Sequence, residues 1–193
     1  MVGVSAQFLD QAKGLICMPL KKGLVHIYYG DGKGKTSAAL GLALRAIGHG
    51  LKVILIQLMK GRHWIGEFKA QENIPNFIVK QYGTTSFINL YTPDSKDKER
   101  AVQGLLFAEQ VMKQGVYDVV IIDESLYAVE YGLIPLSKLV EIVKNKPANV
   151  ELVLTGGRDP PEELLRLADY VTHLVMEKHP YMDGVQARQG IDF

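Results

Sequence analysis

The sequence predicts an α/β protein built on a mostly parallel sheet of about six strands, with helices on both faces. Three observations carry that expectation. Short, β-rich apolar runs alternate with helix-periodic segments along the chain. Those runs lack the polar face that a strand exposed on one side would show. A glycine cluster follows the first run directly and opens the first helix.

The elements follow in order. Residues 24–29 form the first strand. Residues 37–47 carry small and apolar side chains at helical spacing, with Gly48 and Gly50 as stop signals. A second strand covers residues 52–58, and a third, more polar one covers 77–82. Residues 96–114 read as a helix ended by Gly115. The run 117–123 is apolar on both parities, as a strand buried on both faces must be. Residues 136–144 read as a helix closed by Pro147, and residues 150–155 as a strand. Asp159 has N-cap character, with Pro160 at the first helical position and Glu162 at the third, so a helix is expected to about Ala168. Residues 171–176 supply the last strand. Without repeats or a low-complexity linker, the chain divides into an N-terminal arm, residues 1–22, and one domain, residues 23–193.

Composition narrows the function. At 193 residues, with 47% apolar and 22% charged, the chain suits a globular domain with a full-sized core. A net charge of +1 supplies no global field for nucleic acid or an anionic membrane. The longest apolar runs, such as 53–58 and 119–122, are too short to span a bilayer. Lys21 and Lys22 follow the first apolar stretch, the reverse of signal-peptide order. Cys17 is the sole cysteine, so no intrachain disulfide exists and a reducing compartment is expected. It reads as a packing residue, because no base stands near it to activate a nucleophile. The expected location is the cytoplasm.

The chemistry is written in Tyr29-Gly30-Asp31-Gly32-Lys33-Gly34-Lys35-Thr36-Ser37. Glycines let backbone N–H groups turn inward around phosphate oxygens, since no Cβ obstructs the approach. The helix N-terminus behind them adds unpaired donors and a partial positive charge. Gly30, Asp31, Gly32, Lys33, Gly34, Lys35, Thr36 and Ser37 are therefore the candidate ATP-binding residues. Lys35 would bridge phosphate oxygens, and the Thr36 hydroxyl would ligate Mg²⁺. The loop is one residue tighter than the common phosphate loop, because Tyr29 occupies the position of its usual first glycine. A glycine-rich turn capping a strand is the bland alternative.

Asp123 and Glu124 end an apolar strand whose carboxyl end opens onto the same crevice, so one of them would hold Mg²⁺ and the other orient it or a neighbour. Taken alone, the pair would read as solvated acids. Arg158 ends the next strand after Thr155-Gly156-Gly157 and could touch phosphates or ribose, or be a surface arginine. Lys60-Gly61-Arg62-His63-Trp64 opens at the same edge, either as part of the site or as a solvated basic loop. His173 and His179 lack metal-ligand spacing, and His26 and His49 read as core or surface residues.

Beyond the loop, the chain resembles the ATP:corrinoid adenosyltransferases of the CobA/BtuR type. The resemblance rests on Gly30 to Thr36, Arg45-Ala46-Ile47-Gly48-His49-Gly50, Lys60-Gly61 with Gly66-Glu67, and Asp123-Glu124. It continues through Thr155-Gly156 with Arg158 and Leu167-Ala168-Asp169 to a tail running from Lys178-His179-Pro180-Tyr181 to Gly190-Ile191-Asp192-Phe193. The tighter loop belongs to that family's pattern. The resemblance implies a P-loop, RecA-like three-layer fold and a homodimer in which the N-terminal arm helps to cover a site. It implies transfer of the 5′-deoxyadenosyl group of MgATP to Co(I) of a corrinoid, with triphosphate released. On that basis Lys35, Glu124 and Arg158 are the expected catalytic residues, Glu124 is preferred to Asp123 for the metal, and a flavoprotein-type reductant could supply Co(I).

The segment 82–91 has no tryptophan where better-known family members carry a Phe-x-Trp pair, so Phe87, with Tyr91 second, is the expected contact to the corrinoid's lower face. The tail also reads Ala187-Arg188 where the family often has Ala-Gln. Two other classes compete: a P-loop small-molecule kinase or NTPase, and a nucleotide-responsive binding module without turnover.

Overall fold

The computed structural model describes residues 20–86 and 92–193. Strands β1 (Val25–Tyr29), β2 (Val53–Lys60), β3 (Phe77–Thr84), β4 (Val119–Asp123), β5 (Glu151–Thr155) and β6 (Tyr170–His173) form one six-stranded sheet in the order β3-β2-β4-β5-β1-β6. Every pairing is parallel. Helices α1 (Lys35–Gly48), α2 (Gly66–Ala70), α3 (Ser95–Gln114), α4 (Ser125–Glu130), α5 (Leu136–Lys144) and α6 (Glu162–Leu167) complete the layers, with a 3₁₀ turn at Pro180–Asp183. β5 stands between β1, which leads into the glycine loop, and β4, which delivers the acid pair.

Strand periodicity divides the core into two compartments. Ile54, Ile56, Val120, Ile122, Leu152 and Leu154 point toward α3, α4, α5 and α6, where Leu105, Leu126, Leu139 and Leu164 meet them. Val53, Leu55, Val119, Ile121 and Val153 point the other way, onto Ala39, Ala43 and Ala46 of α1. The alanines let α1 lie close to the sheet and fix the helix that carries Lys35 and Thr36. Each fully buried leucine or isoleucine contributes about 1.5–3 kcal/mol to this arrangement.

The structure corrects three details. The helix expected to start from an Asp159 cap begins at Glu162, with Pro161 at the N-cap position and no side-chain cap bond. Two consecutive prolines explain the shift, since Pro160 preceding Pro161 is biased toward extended backbone. The last strand runs Tyr170–His173, and all four of its residues are exposed. It lies at the sheet edge, paired only with β1, so the rule of two buried faces fails there. Two short helices, α2 and α4, add to the expected elements, having too few residues to show a period in the sequence. The Gly115 stop holds: that residue ends α3 with φ 64°, and Asp94 caps its start by accepting from the Asp97 N–H at 2.7 Å.

β2 and β3 approach unusually closely where Met59 faces Gly83. Met59 has φ 62°, which turns its carbonyl side toward β3. A Cβ on Gly83 would fall 2.2 Å from the Met59 carbonyl carbon and 2.3 Å from the Lys60 nitrogen. Gly83→Ala should therefore cost about 1–3 kcal/mol of stability, read as a lower urea midpoint. An unchanged midpoint would show that β2 yields freely at this point.

Candidate functional site

The glycine loop joins β1 to α1 and is held from two sides. The Gly30 N–H donates to the Gly157 carbonyl at 2.9 Å, and the Gly32 N–H donates to the Leu174 carbonyl at 2.8 Å. Gly30 has φ 112°, and a Cβ there would lie 2.2 Å from the Leu174 oxygen, so only glycine fits. Gly34, at φ 115°, makes the turn into α1. Lys35 Nζ donates to the carbonyls of Gly30 at 2.7 Å and Gly32 at 2.8 Å, and lies 5.9 Å from the centre of the Tyr127 ring. Burial lowers its pKa, while the carboxylates of Glu124, Asp31 and Asp123 oppose the shift. Asp31 accepts from the Met176 N–H at 3.1 Å, tying the loop to the segment after β6. Ser37 is exposed in the first turn of α1.

The acid pair sits across from this loop, and its two members differ in environment. Asp123 is completely buried and its oxygens are fully engaged. Oδ1 accepts from Thr36 Oγ1 at 2.9 Å and Thr155 Oγ1 at 2.6 Å; Oδ2 accepts from Lys60 Nζ at 2.7 Å and Gln57 Nε2 at 3.2 Å. Burial alone would raise its pKa, but the Lys60 ammonium and the donated hydrogen bonds outweigh that and hold it below the usual carboxylate value. Glu124 lines an open cleft and is bridged to Lys60 at 3.2 Å. Burial and the neighbouring Asp123 charge raise its pKa, against the pull of Lys60 and Lys35. Its backbone is left-handed, with φ 64°, at the turn from β4 into α4. That strain costs about 1–3 kcal/mol and aims the two adjacent side chains differently, Asp123 into the protein and Glu124 toward the cleft.

The cleft has a volume of about 430 Å³. Glu124, Lys60, Glu67 and Arg158 supply charge along it, and Met59, Ile65, Tyr127, Tyr131 and Phe193 supply apolar wall. Tyr127 and Tyr131 stack with ring centres 5.9 Å apart. Arg158 also borders a second hollow beside Asp31, His179 and Tyr181, so it stands between the two depressions that flank the loop. Its backbone N–H donates to Glu130 at 3.0 Å.

The structure thus brings Lys35, Thr36, Asp123, Glu124 and Arg158 to one edge of the sheet. Phe87 and Tyr91 lie outside the described residues. His26 is a core residue, bonded to Glu151 at 2.5 Å and stacked on Tyr170. Lys60 does not open a solvated basic loop: its ammonium forms ion pairs with both carboxylates. Gln57, Thr155 and Tyr127 belong to the site as well. Thr155 ends β5 and Gln57 lies within β2 opposite Asp123, and polar residues in otherwise apolar buried strands are the available signal. Among the described residues no three His, Cys, Asp or Glu side chains could hold a metal by themselves. None of the described helices is long and apolar enough to cross a membrane.

A parallel sheet with a phosphate loop after its first strand and an acid pair at the end of a nearby one defines a P-loop nucleotide-binding protein of the three-layer α/β class. Within that class the comparisons are specific. The family model described as ATP:corrinoid adenosyltransferase BtuR/CobO/CobP matches residues 21–193, and the chain belongs to that family. The corrinoid adenosyltransferase of Escherichia coli K12 is 34% identical over 177 residues, covering 90% of this chain and 87% of that protein. The corrinoid adenosyltransferase CobA of Salmonella typhimurium is 32% identical over 177 residues, with the same shares covered. Among solved structures, the flagellar accessory protein FlaH from Methanocaldococcus jannaschii matches with a TM-score of 0.49 at 14% identity, over 89% of this chain and 78% of that one.

Proposed function

We propose that this protein transfers the 5′-deoxyadenosyl group of ATP to Co(I) of a corrinoid and releases triphosphate. Family membership supports the reaction, and one observation of geometry carries the assignment of the site. Thr36 of the phosphate loop bonds Asp123, Lys35 sits by the Tyr127 ring, and Tyr127 and Glu124 line a cleft with both charged and apolar walls.

Cobalt attacks C5′ of the ribose, so the protein needs no base to activate a hydroxyl. Its task is to hold the triphosphate as a leaving group. Lys35 and the N–H groups of the first turn of α1 provide donors where charge builds on the departing oxygen. Alignment of cobalt, C5′ and leaving oxygen requires both substrates to be fixed together. The apolar walls exclude water, which would protonate Co(I).

The hydroxyl of Thr36 and the carboxylate of Glu124 are hard oxygen donors, too few for an all-protein cage, and such a set fits Mg²⁺ shared with phosphates. When bound there, Mg²⁺ would neutralise charge on the triphosphate. Asp123, with four donors on its two oxygens, fits the part of an anchor for Thr36 and Lys60.

The decisive experiment incubates the protein with ATP, Mg²⁺ and chemically reduced corrinoid. The adenosylated-corrinoid spectrum together with triphosphate supports the reading. ADP and phosphate without that spectrum would point to a kinase or ATPase, and tight ATP binding without turnover to a binding module.

The proposal extends to a cytoplasmic homodimer, an arm at residues 1–22 that helps to cover the site, and a flavoprotein-type reductant. Phe87 is assigned to the corrinoid's lower face, since displacing the lower axial ligand eases reduction of Co(II) and an aromatic ring can fill the vacated space. Phe87→Ala should slow turnover from Co(II) with a protein reductant, leave ATP affinity unchanged and recover partly when Co(I) is supplied chemically. Equal losses with either cobalt state and a lower melting temperature would assign Phe87 to packing instead.

A further inference from the structure

The segment 188–193 folds back against the phosphate loop and is organised around one carboxylate. Asp192 forms an ion pair with Lys33 of the loop. Its Oδ2 accepts from the Arg188 backbone N–H at 2.9 Å and from Arg188 Nε at 3.1 Å. The Asp192 N–H returns to the Arg188 carbonyl at 2.8 Å, and the Gly190 N–H donates to the Phe193 carbonyl at 2.8 Å. Gly190, at φ 78°, makes this turn possible. The closed turn sorts its apolar side chains: Ile191 is 65% exposed, whereas Phe193 is 36% exposed and lines the cleft with Met59, Ile65 and Tyr131. Asp192 therefore has a partner on the loop and a partner in its own turn, and its immediate neighbour is a wall of the cleft.

We infer that Asp192 is a positioning residue and Phe193 a specificity-determining contact for the second substrate: the Lys33–Asp192 pair holds the tail so that the Phe193 ring walls the cleft where the corrinoid docks. This rests on the adenosyltransferase reading. The chemistry favours the corrinoid over the nucleotide as the molecule that Phe193 meets. A macrocycle rim offers methyl groups and methylenes that gain from apolar and aromatic walls. The triphosphate is served by Lys35 and the donors at the start of α1. Phosphate recognition needs no phenyl ring.

Steady-state kinetics with chemically reduced cobalamin and MgATP test the inference on the full chain. Phe193→Ala should raise the KM for cobalamin about tenfold, with kcat and the KM for ATP changed less than about twofold, the pattern of lost uniform binding. Asp192→Asn, which keeps shape and removes the charge, should raise the cobalamin KM by about fivefold or more. The double variant should be no worse than the worse single one, because Asp192 acts through Phe193. Phe193→Leu should restore most of the loss, and it guards against a variant that merely fails to fold.

Multiplicative losses in the double variant would overturn the coupling. A raised KM for ATP in Phe193→Ala would place the nucleoside, rather than the corrinoid, against this wall and overturn the assignment. Unchanged kinetics in a working enzyme would remove the tail from the site. A wild-type protein that forms no adenosylcobalamin at all would defeat the underlying reading before any variant is made.

Discussion

Lys35→Ala is expected to lower kcat/KM by about 2–4 kcal/mol, roughly thirty- to a thousandfold, with the fold intact. The lysine has two tasks. Its ammonium bonds the carbonyls of Gly30 and Gly32, so it braces the loop from inside. It is also the cation best placed for triphosphate, next to the helix N-terminus and within reach of the cleft. Burial lowers its pKa, which weakens its hold on the proton without a partner, and a phosphate would reverse that pull.

Thr36→Ala should cost a similar amount by a different route. It removes a donor to Asp123 and an oxygen suited to Mg²⁺. Thr36→Ser keeps the hydroxyl and should stay within severalfold of wild type. Initial rates of adenosylcobalamin formation, paired with thermal melts, separate lost chemistry from lost structure. Near-normal rates in both alanine variants would remove this loop as the triphosphate site.

Much of this was legible in the sequence because the relevant signals are local. A glycine cluster between a strand and a helix needs no tertiary information, and the apolar run ending in Asp123-Glu124 marks both a buried strand and its open end. The loop's support was not legible. Gly156 and Gly157 adopt positive φ so that the Gly157 carbonyl can meet Gly30, a contact that joins positions far apart in the chain. Local sequence leaves the role of Lys60 undetermined, because a lysine at a strand end reads the same whether it meets water or two carboxylates. Its role depends on β2 lying beside β4, which local pattern does not dictate. The exposed β6 departs from expectation for a related reason: its apolar side chains suggest two covered faces, and only the strand order reveals an edge. Residue pattern specifies elements, whereas neighbour relations decide which polar groups converge.

Glu124→Gln should raise the Mg²⁺ concentration for half-maximal rate by about tenfold or more, with little change in stability, because the lost carboxylate is a cleft group and the amide keeps its shape. The converse is expected of Asp123→Asn. That side chain accepts four hydrogen bonds in a fully buried position, two on each oxygen, and an amide nitrogen in place of either oxygen cannot accept from its pair of donors, Thr36 and Thr155 or Gln57 and Lys60. Asp123→Asn should therefore destabilise the fold by about 1–3 kcal/mol, the cost of leaving buried donors unmet, and reduce activity through displacement of Thr36.

A pH series sharpens the contrast. The Glu124 pKa lies above its ordinary value of 4.5, chiefly through burial and then through the Asp123 charge. Protons compete with metal for an ionised glutamate, so apparent Mg²⁺ affinity should fall as pH drops through that raised pKa, and this titration should vanish in Glu124→Gln. The Asp123 pKa is held below 3.8 by Lys60 and its hydrogen bonds, which overcome burial, so it stays ionised across the same range. Metal titrations at several pH values, read by initial rate and by Mn²⁺ binding in the absence of corrinoid, follow both quantities. If Asp123→Asn alone shifts the metal requirement and Glu124→Gln does not, the roles of the pair are exchanged.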